Sequence, residues 1–445
     1  MSTQQTIDVT DYIDKRKINA FNFQLVVLSF LVIMVDGYDI TVAAFAVPPL
    51  IKAWGIQNPG AFGPVLGASL FGMLFGAPLL GHVGDRFGRK TAIIASYLVF
   101  GVFTLAAAWS HSLLQLGVLR FLAGIGIGGL LPNVVALNAE FAPRRRQATA
   151  VIISFAGITL GGSLPGPIAA YLMPHYGWQI LFYFGGLVPL LLAGLIAASL
   201  PESIRFLALK DRQADVVAML RRMDPGVSPP EGARFVVQLG EKLPFRYLFD
   251  GKLAVMTPLL WLLFVVNLMA YFFLVSWMPT LLASTSMPTQ AAFATMVLQI
   301  GGFTGALAIA LPLDRRGLMP VVALFVLAVP IVGAIGYVAH QSVLELMAVV
   351  ALAGFCTLGT QFGLNAVSAI IYPTALRSTG SGAAFGVGRV GAILGPVIGG
   401  RLIDMKLPVQ DLYMIATIPF VIGAVAAFIL MPMFAERMAT HGPGR

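Results

Sequence analysis

Twelve separate runs of predominantly apolar residues divide this chain of 445 residues, and that pattern leaves almost no choice of fold. A hydrocarbon core roughly 30 Å thick is crossed by ~20 residues of helix. Only a helix or a closed barrel satisfies its own backbone donors and acceptors there. The runs fall near 21–49, 61–82, 91–110, 112–136, 148–173 and 178–199, and again near 253–282, 290–313, 319–339, 343–371, 378–403 and 410–434. Charged residues make up only 11% of the chain, against roughly 25% in a soluble domain. Most of the 48 glycines and 28 prolines lie within the apolar runs, where membrane helices tolerate them. The expected fold is an all-α membrane protein with twelve transmembrane helices.

The runs form two sets of six, and this sets the expected organisation. It comprises an N-terminal segment (1–20), a six-helix bundle (21–200), a central polar loop (201–252), a second six-helix bundle (253–434) and a short tail (435–445). Lys and Arg test the topology, because cytoplasmic loops are enriched in them. With the N-terminus inside, 23 of the 28 fall in inner segments, nine of them in the central loop. Only Lys52, Arg401 and Lys406 fall outside, and Arg120 and Arg389 lie within runs. Both termini are therefore expected in the cytoplasm, in a multi-pass protein of a bacterial inner membrane. The net charge of +9 is explained by this placement, so no nucleic-acid partner is expected. The first run is too long for a removable signal peptide and is expected to remain as a span.

The two halves repeat at a nearly fixed offset. Asp85-Arg86-Phe87-Gly88 recurs as Asp314-Arg315-Arg316-Gly317 and Gly166-Pro167 as Gly395-Pro396, each 229 residues on, while Pro143 and Arg146 are echoed by Pro373 and Arg377. Paired six-helix halves related by an axis along the membrane normal are the architecture of rocking transporters. The loop Gly81-His82-Val83-Gly84-Asp85-Arg86-Phe87-Gly88-Arg89-Lys90 resembles the G-x-x-x-D-R-x-G-R-K loop of the major facilitator superfamily. Asp36-Gly37-Tyr38-Asp39 resembles the D-G-x-D signature of the aromatic acid:proton symporters within it, and the Pro201-Glu202-Ser203-Ile204-Arg205 stretch fits the superfamily too.

The resemblance implies the major facilitator fold, with two pseudo-symmetric six-helix bundles, and proton-coupled uptake of a benzoate-like acid of the hydroxybenzoate, protocatechuate or gentisate type. It makes Asp36 and Asp39 essential, gives Asp85 and Asp314 to the gating loops, and marks Arg120, Glu140, Arg377 and Arg389 as charges that similar members depend on. The second loop departs from the pattern: Ala310 stands where the first has Gly81, and the trailing Arg-Lys is missing. The expected partners are a small aromatic carboxylate, protons and the lipid bilayer, with no cofactor beyond the proton gradient, and the expected state is a monomer.

Read from the residues themselves, each charge within a span needs a partner, water or a job, since it costs about 2.5–3.5 kcal/mol at the bilayer centre. Asp36 and Asp39 are three apart and share roughly one helical face. They either take part in proton coupling or only salt-bridge neighbouring helices. At ~1.5 Å rise per residue, Asp39 and Arg120 lie at similar depths, so a pair between them is expected, permanent or released on protonation. Asp36, Asp39 and Arg120 form the candidate proton-coupling set. Arg389 has no acid in its own run before Asp404. It is either a carboxylate anchor, its planar fork matching an anion bidentately, or bonded to backbone carbonyls, Gln361 or Asn365. Tyr38, Tyr271, Phe272 and Trp277 are candidate ring contacts, with Asn133, Gln361 and Asn365 for hydroxyl groups. Gating is assigned to Gly81, Asp85, Arg86, Arg89, Glu140, Asp314, Arg315 and Arg377, with Asp85 expected to accept from helix N-termini or from arginines across the bundle.

Other chemistries find no footing. Two G-x-G-x-x-G stretches, at Gly124 and at Gly386, lie inside apolar runs with no preceding strand, so they and the ladder Gly391, Gly395, Gly399 read as close helix packing. One cysteine, Cys356, and five scattered histidines offer no expected metal site, and no enzyme activity is expected. Within transport, another organic anion such as a sugar acid or dicarboxylate, or proton-driven export, is the alternative.

Overall fold

The computed structural model describes residues 6–14, 16, 19–223, 233–237, 243–283 and 288–441. Among them are twelve helices long and apolar enough to cross a membrane. Spans 1 to 6 are Ala20–Trp54, Pro59–Phe87, Arg89–Ala107, Leu113–Phe141, Ile153–Tyr171 and Gln179–Ser199. Spans 7 to 12 are Leu253–Ala283, Gln290–Ile309, Met319–Val338, Val343–Ile371, Ala375–Asp404 and Val409–Arg437. Span 1 begins in a capping box, with the Asn19 side chain accepting from Phe21 and Asn22 backbone N–H groups, and ends at Gly55 in the left-handed conformation.

The helix pairings repeat between the halves. Span 1 packs on 5, span 2 on 4 and span 3 on 6; six spans later, 7 packs on 11, 8 on 10 and 9 on 12. Glycine permits the approach, since helices in lipid associate through close contact of small residues. A Cβ on Gly391 or Gly395 would collide with the carbonyl oxygens of Val265 or Met269 in span 7, and a Cβ on Gly399 would strike the Trp277 ring. The glycine ladder is thus the seam between spans 7 and 11.

The halves meet away from the termini and part toward them. At the far end the Gly60 N–H donates to Asp404 at 2.9 Å, and Tyr171 and Phe293 meet edge to face at 6.1 Å. A Cβ on Gly63 would lie 2.8 Å from the Pro396 carbonyl oxygen, and one on Gly67 would lie 3.3 Å from that of Ile393. Closer to the termini, a Cβ on Gly81 of span 2 or on Gly382 or Gly386 of span 11 would meet nothing within 4 Å. Spans 2 and 11 therefore diverge along their length, so the molecule is sealed at its far end and open on the side that carries the termini.

The polar segments are folded rather than loose connections. Strand Thr6–Asp8 pairs in parallel with strand Arg234–Val236, and helix Val9–Asp14 lies against helix Ile204–Leu209 of the central segment, which packs in turn on helix Gln213–Met223. Val9, Ile13, Val216, Leu220 and Phe235 are buried between them, and the Tyr12 and Phe235 rings meet at 5.7 Å. The central loop was expected only to join two bundles. Its burial pattern explains the difference, because Val216, Leu220 and Met223 recur at helical spacing and give an otherwise polar helix one apolar face.

Candidate substrate and proton site

Asp36, Gly37, Tyr38 and Asp39 lie at the middle of span 1, and all four are buried. A Cβ on Gly37 would collide with the Ile158 carbonyl oxygen of span 5, so the glycine lets the two helices touch there and fixes the rotation of the neighbouring aspartates. The expected pair is present. Arg120 holds Asp39 with both guanidinium arms, Nη1 to Oδ1 and Nη2 to Oδ2 at 2.8 Å, while Nη2 also donates to the Asp39 carbonyl oxygen at 3.1 Å. Ser69 of span 2 donates to Asp39 Oδ2 at 3.2 Å. Asp39 is 0% and Arg120 2% exposed, so the pair is dry and each charge depends on the other.

Asp36 is also buried, but its Oδ1 has no hydrogen-bond partner. The charge facing it belongs to the other half: Arg389, at the middle of span 11, acts electrostatically on Asp36, and its own Nη1 is likewise without a partner. The alternative bonding of Arg389 to Gln361 is not what the structure holds. Gln361 instead accepts from Asn267 at 3.0 Å and donates to Asn365 at 3.1 Å, in a polar string that ties spans 7 and 10 together.

Of the four aromatic candidates, two are turned away from the meeting of the halves. The Tyr38 hydroxyl donates to the Leu181 carbonyl oxygen at 2.9 Å and its ring packs on Gly185, so the side chain points into span 6 within its own bundle. Trp277 is 0% exposed and its Nε1 donates to the Pro396 carbonyl oxygen at 2.9 Å, which makes it part of the seam between spans 7 and 11. Tyr271 and Phe272 stand edge to face at 5.2 Å near mid-height, and Tyr271 donates to Gln299 of span 8 at 2.9 Å.

Asn133 of span 4 serves the loop between spans 2 and 3 rather than a ring pocket. It donates to the carbonyl oxygens of Leu80 and Gly129 and accepts from Arg89 at 3.3 Å. In that loop Arg89 bridges to Asp85 at 2.9 Å and approaches Glu140 at 4.0 Å, and Glu140 accepts from Ser203. Gly88 turns the chain at φ 105°, ψ 149°, and Glu202 accepts from the Lys90 and Ser203 N–H groups. Glu140 joins the cluster as expected, whereas Asp85 pairs within its own loop instead of across the bundle. Arg86 lies over the Phe87 ring at 5.4 Å, and Gly81, Arg315 and Arg377 are on the open side, Arg315 and Arg377 both exposed. The Asp314 side chain lies outside the described residues.

Sequence reasoning passed over Gln299, Asn267, Ser69 and Glu202. The first two carry a usable signal, an amide at the middle of an apolar span, where an unmet polar group is costly. Ser69 carries none, and Glu202 lies in a motif whose role was left open.

Two six-helix halves that seal at one end and hold buried charges at their meeting point are the architecture of a membrane transporter. The sequence profile of the Major Facilitator Superfamily matches residues 29–396. The chain is 37% identical over 426 residues to a gallate transporter of Pseudomonas putida, covering 94% of each. It is 35% identical over 436 residues to the 4-hydroxybenzoate transporter PcaK of the same species, covering 96% of each. In fold it is similar to the xylose transporter XylE of E. coli in a partially occluded inward open conformation, with TM-score 0.70 at 16% identity over 96% of this chain and 98% of that one. It is also similar to a bacterial homolog of the human lysosomal transporter Spinster in an inward-facing, occupied conformation, with TM-score 0.72 at 16% identity over 95% and 99%. The chain belongs to the major facilitator superfamily and, within it, to the family of aromatic acid transporters.

Proposed function

We propose that the protein is a proton-coupled symporter that imports a benzoate-like carboxylate across the bacterial inner membrane. The observation that carries this reading is the unclosed meeting of Asp36 and Arg389 across the two halves. A buried guanidinium with a free arm fits a planar carboxylate. While Asp36 is ionised it competes with the substrate for Arg389, and a proton on Asp36 removes the competitor. Proton and substrate therefore load together, and loss of the proton on the inner side returns Arg389 to Asp36 and releases the acid. Asp39, already neutralised by Arg120, holds span 1 in place while this happens. Mid-membrane charges of this kind serve proton relays and substrate paths.

The relatives support the substrate class, since their names give gallate and 4-hydroxybenzoate. The excess of Lys and Arg on the side of the termini supports a cytoplasmic assignment for that side, which makes the opening inward-facing. No cofactor enters this reading; the proton gradient drives uptake, and one chain forms a complete pathway.

The test is reconstitution in liposomes with an internal pH dye, adding 4-hydroxybenzoate, protocatechuate, gentisate or a sugar acid outside. Internal acidification beyond the protein-free leak with an aromatic acid is expected. Acidification with the sugar acid alone would move the substrate to another class, and silence with all four would sink the symport reading.

A further inference from the structure

Gln299 lies at the middle of span 8 and is 1% exposed. Its Oε1 accepts from the Tyr271 hydroxyl at 2.9 Å, which fixes the amide plane and turns Nε2 away from Tyr271. Nε2 has no hydrogen-bond partner. It is aimed across the boundary between the halves at Gly162 of span 5, where a Cβ would collide with it. The Gly37 carbonyl oxygen lies 3.4 Å from that same Cβ position. The second half thus presents two unsatisfied donors to the Asp36-Gly37 step of span 1, Arg389 on Asp36 and Gln299 beside Gly37. Glycine at 162 lets the amide come this close, since any side chain there would strike it. A buried N–H without an acceptor opposes folding, so its presence at a point where the halves meet calls for an occupant that accepts from it.

We propose that Gln299, oriented by Tyr271, reads a ring hydroxyl of the substrate: its Nε2–H donates to the hydroxyl oxygen while Arg389 holds the carboxylate. This rests on the transport reading above and sharpens it to hydroxylated benzoates, because an unsubstituted ring leaves the amide donor unpaired, and a site built to bond a hydroxyl rejects the analogue that lacks one.

The experiment compares kcat/KM for benzoate and for 2-, 3- and 4-hydroxybenzoate in proteoliposomes containing the full-length protein, Gln299→Met or Tyr271→Phe. The wild type is expected to favour at least one hydroxylated acid over benzoate by roughly tenfold or more. Gln299→Met brings that ratio close to one through KM, and Tyr271→Phe lowers it part of the way by freeing the amide to rotate. If Gln299→Met moves too little of any acid to measure, the ratio of Kd values on the purified variant is read against the same expectation. An unchanged ratio in Gln299→Met overturns the proposal. So does equal handling of all four acids by the wild type, which leaves the transport reading standing. A wild type that neither binds nor moves any of the four removes both.

Discussion

Arg120 grips Asp39 by both carboxylate oxygens and by the backbone carbonyl, while three residues earlier Asp36 keeps an oxygen with no partner at all. Two aspartates one helical turn apart therefore have different jobs. One carboxylate is locked inside the first half by spans 2 and 4, and the other faces the second half with its charge unanswered by any hydrogen bond. The distinction follows from Gly37, whose contact with span 5 sets which way each side chain turns.

Asp36→Asn removes the carboxylate proposed to carry the proton and keeps its volume. The variant is expected to exchange external for internal substrate but not to concentrate it, and its exchange rate is expected to lose its dependence on pH. Radiolabelled counterflow alongside uptake driven by an imposed pH gradient checks this. Full gradient-driven accumulation would rule Asp36 out as the coupling residue.

Arg120→Leu strands the Asp39 charge in a dry site and is expected to cost about 3–5 kcal/mol of stability. Adding Asp39→Asn is expected to restore part of the loss, because the pair then disappears together. Thermal unfolding of the purified single and double variants measures the coupling, and strictly additive losses would mean the two side chains do not depend on each other.

Gly63→Val adds bulk where the far ends of spans 2 and 11 touch, at a point where an added Cβ would lie 2.8 Å from the Pro396 carbonyl oxygen. The far seal weakens and the population moves toward the state open on that side, with each 1.4 kcal/mol of bias worth about tenfold. A cysteine at Gly386 in a Cys356→Ser background, reactive from the side of the termini, is expected to label several-fold more slowly when Gly63→Val is added. Labelling at the same rate would show that this contact is not part of the latch.

Gly88→Ala places a side chain on a backbone at φ 105°, ψ 149° and drives its Cβ into the Glu202 carboxylate. Strain of that kind costs about 1–3 kcal/mol, so the purified variant is expected to unfold at lower temperature and to carry substrate more slowly. Glu202→Ala alone, which only uncovers the start of span 3, is expected to lose about 1 kcal/mol. A Gly88→Ala protein as stable as wild type would mean the loop relaxes at no cost.

Depth was legible in the sequence and rotation was not. Counting residues at a fixed rise brought Asp39 level with Arg120, and the structure joins them. Whether a side chain at a given depth faces a partner half, a neighbouring helix or lipid depends on packing that no single span encodes. That is why Tyr38 and Trp277, at suitable depths, turn out to bond Leu181 and Pro396 inside their own bundles. Asn133 was misread for a related reason: as an amide inside an apolar run it looked available, but its N–H groups are taken by Leu80 and Gly129 and its oxygen accepts from Arg89. The pairing of Thr6–Asp8 with Arg234–Val236 was invisible because three-residue strands far apart in the chain carry too short a pattern to read.

That small strand pair has a mechanical consequence. Val236 is fastened to the first half through Asp8, and Leu243 donates its N–H to Ala375 at the start of span 11. The chain between these two anchors is seven peptide steps, about 24 Å at full stretch. However widely the inner ends of the bundles swing, those two points stay within that length of each other. The middle of the polypeptide thus acts as a leash that sets an upper bound on the stroke of the transport cycle.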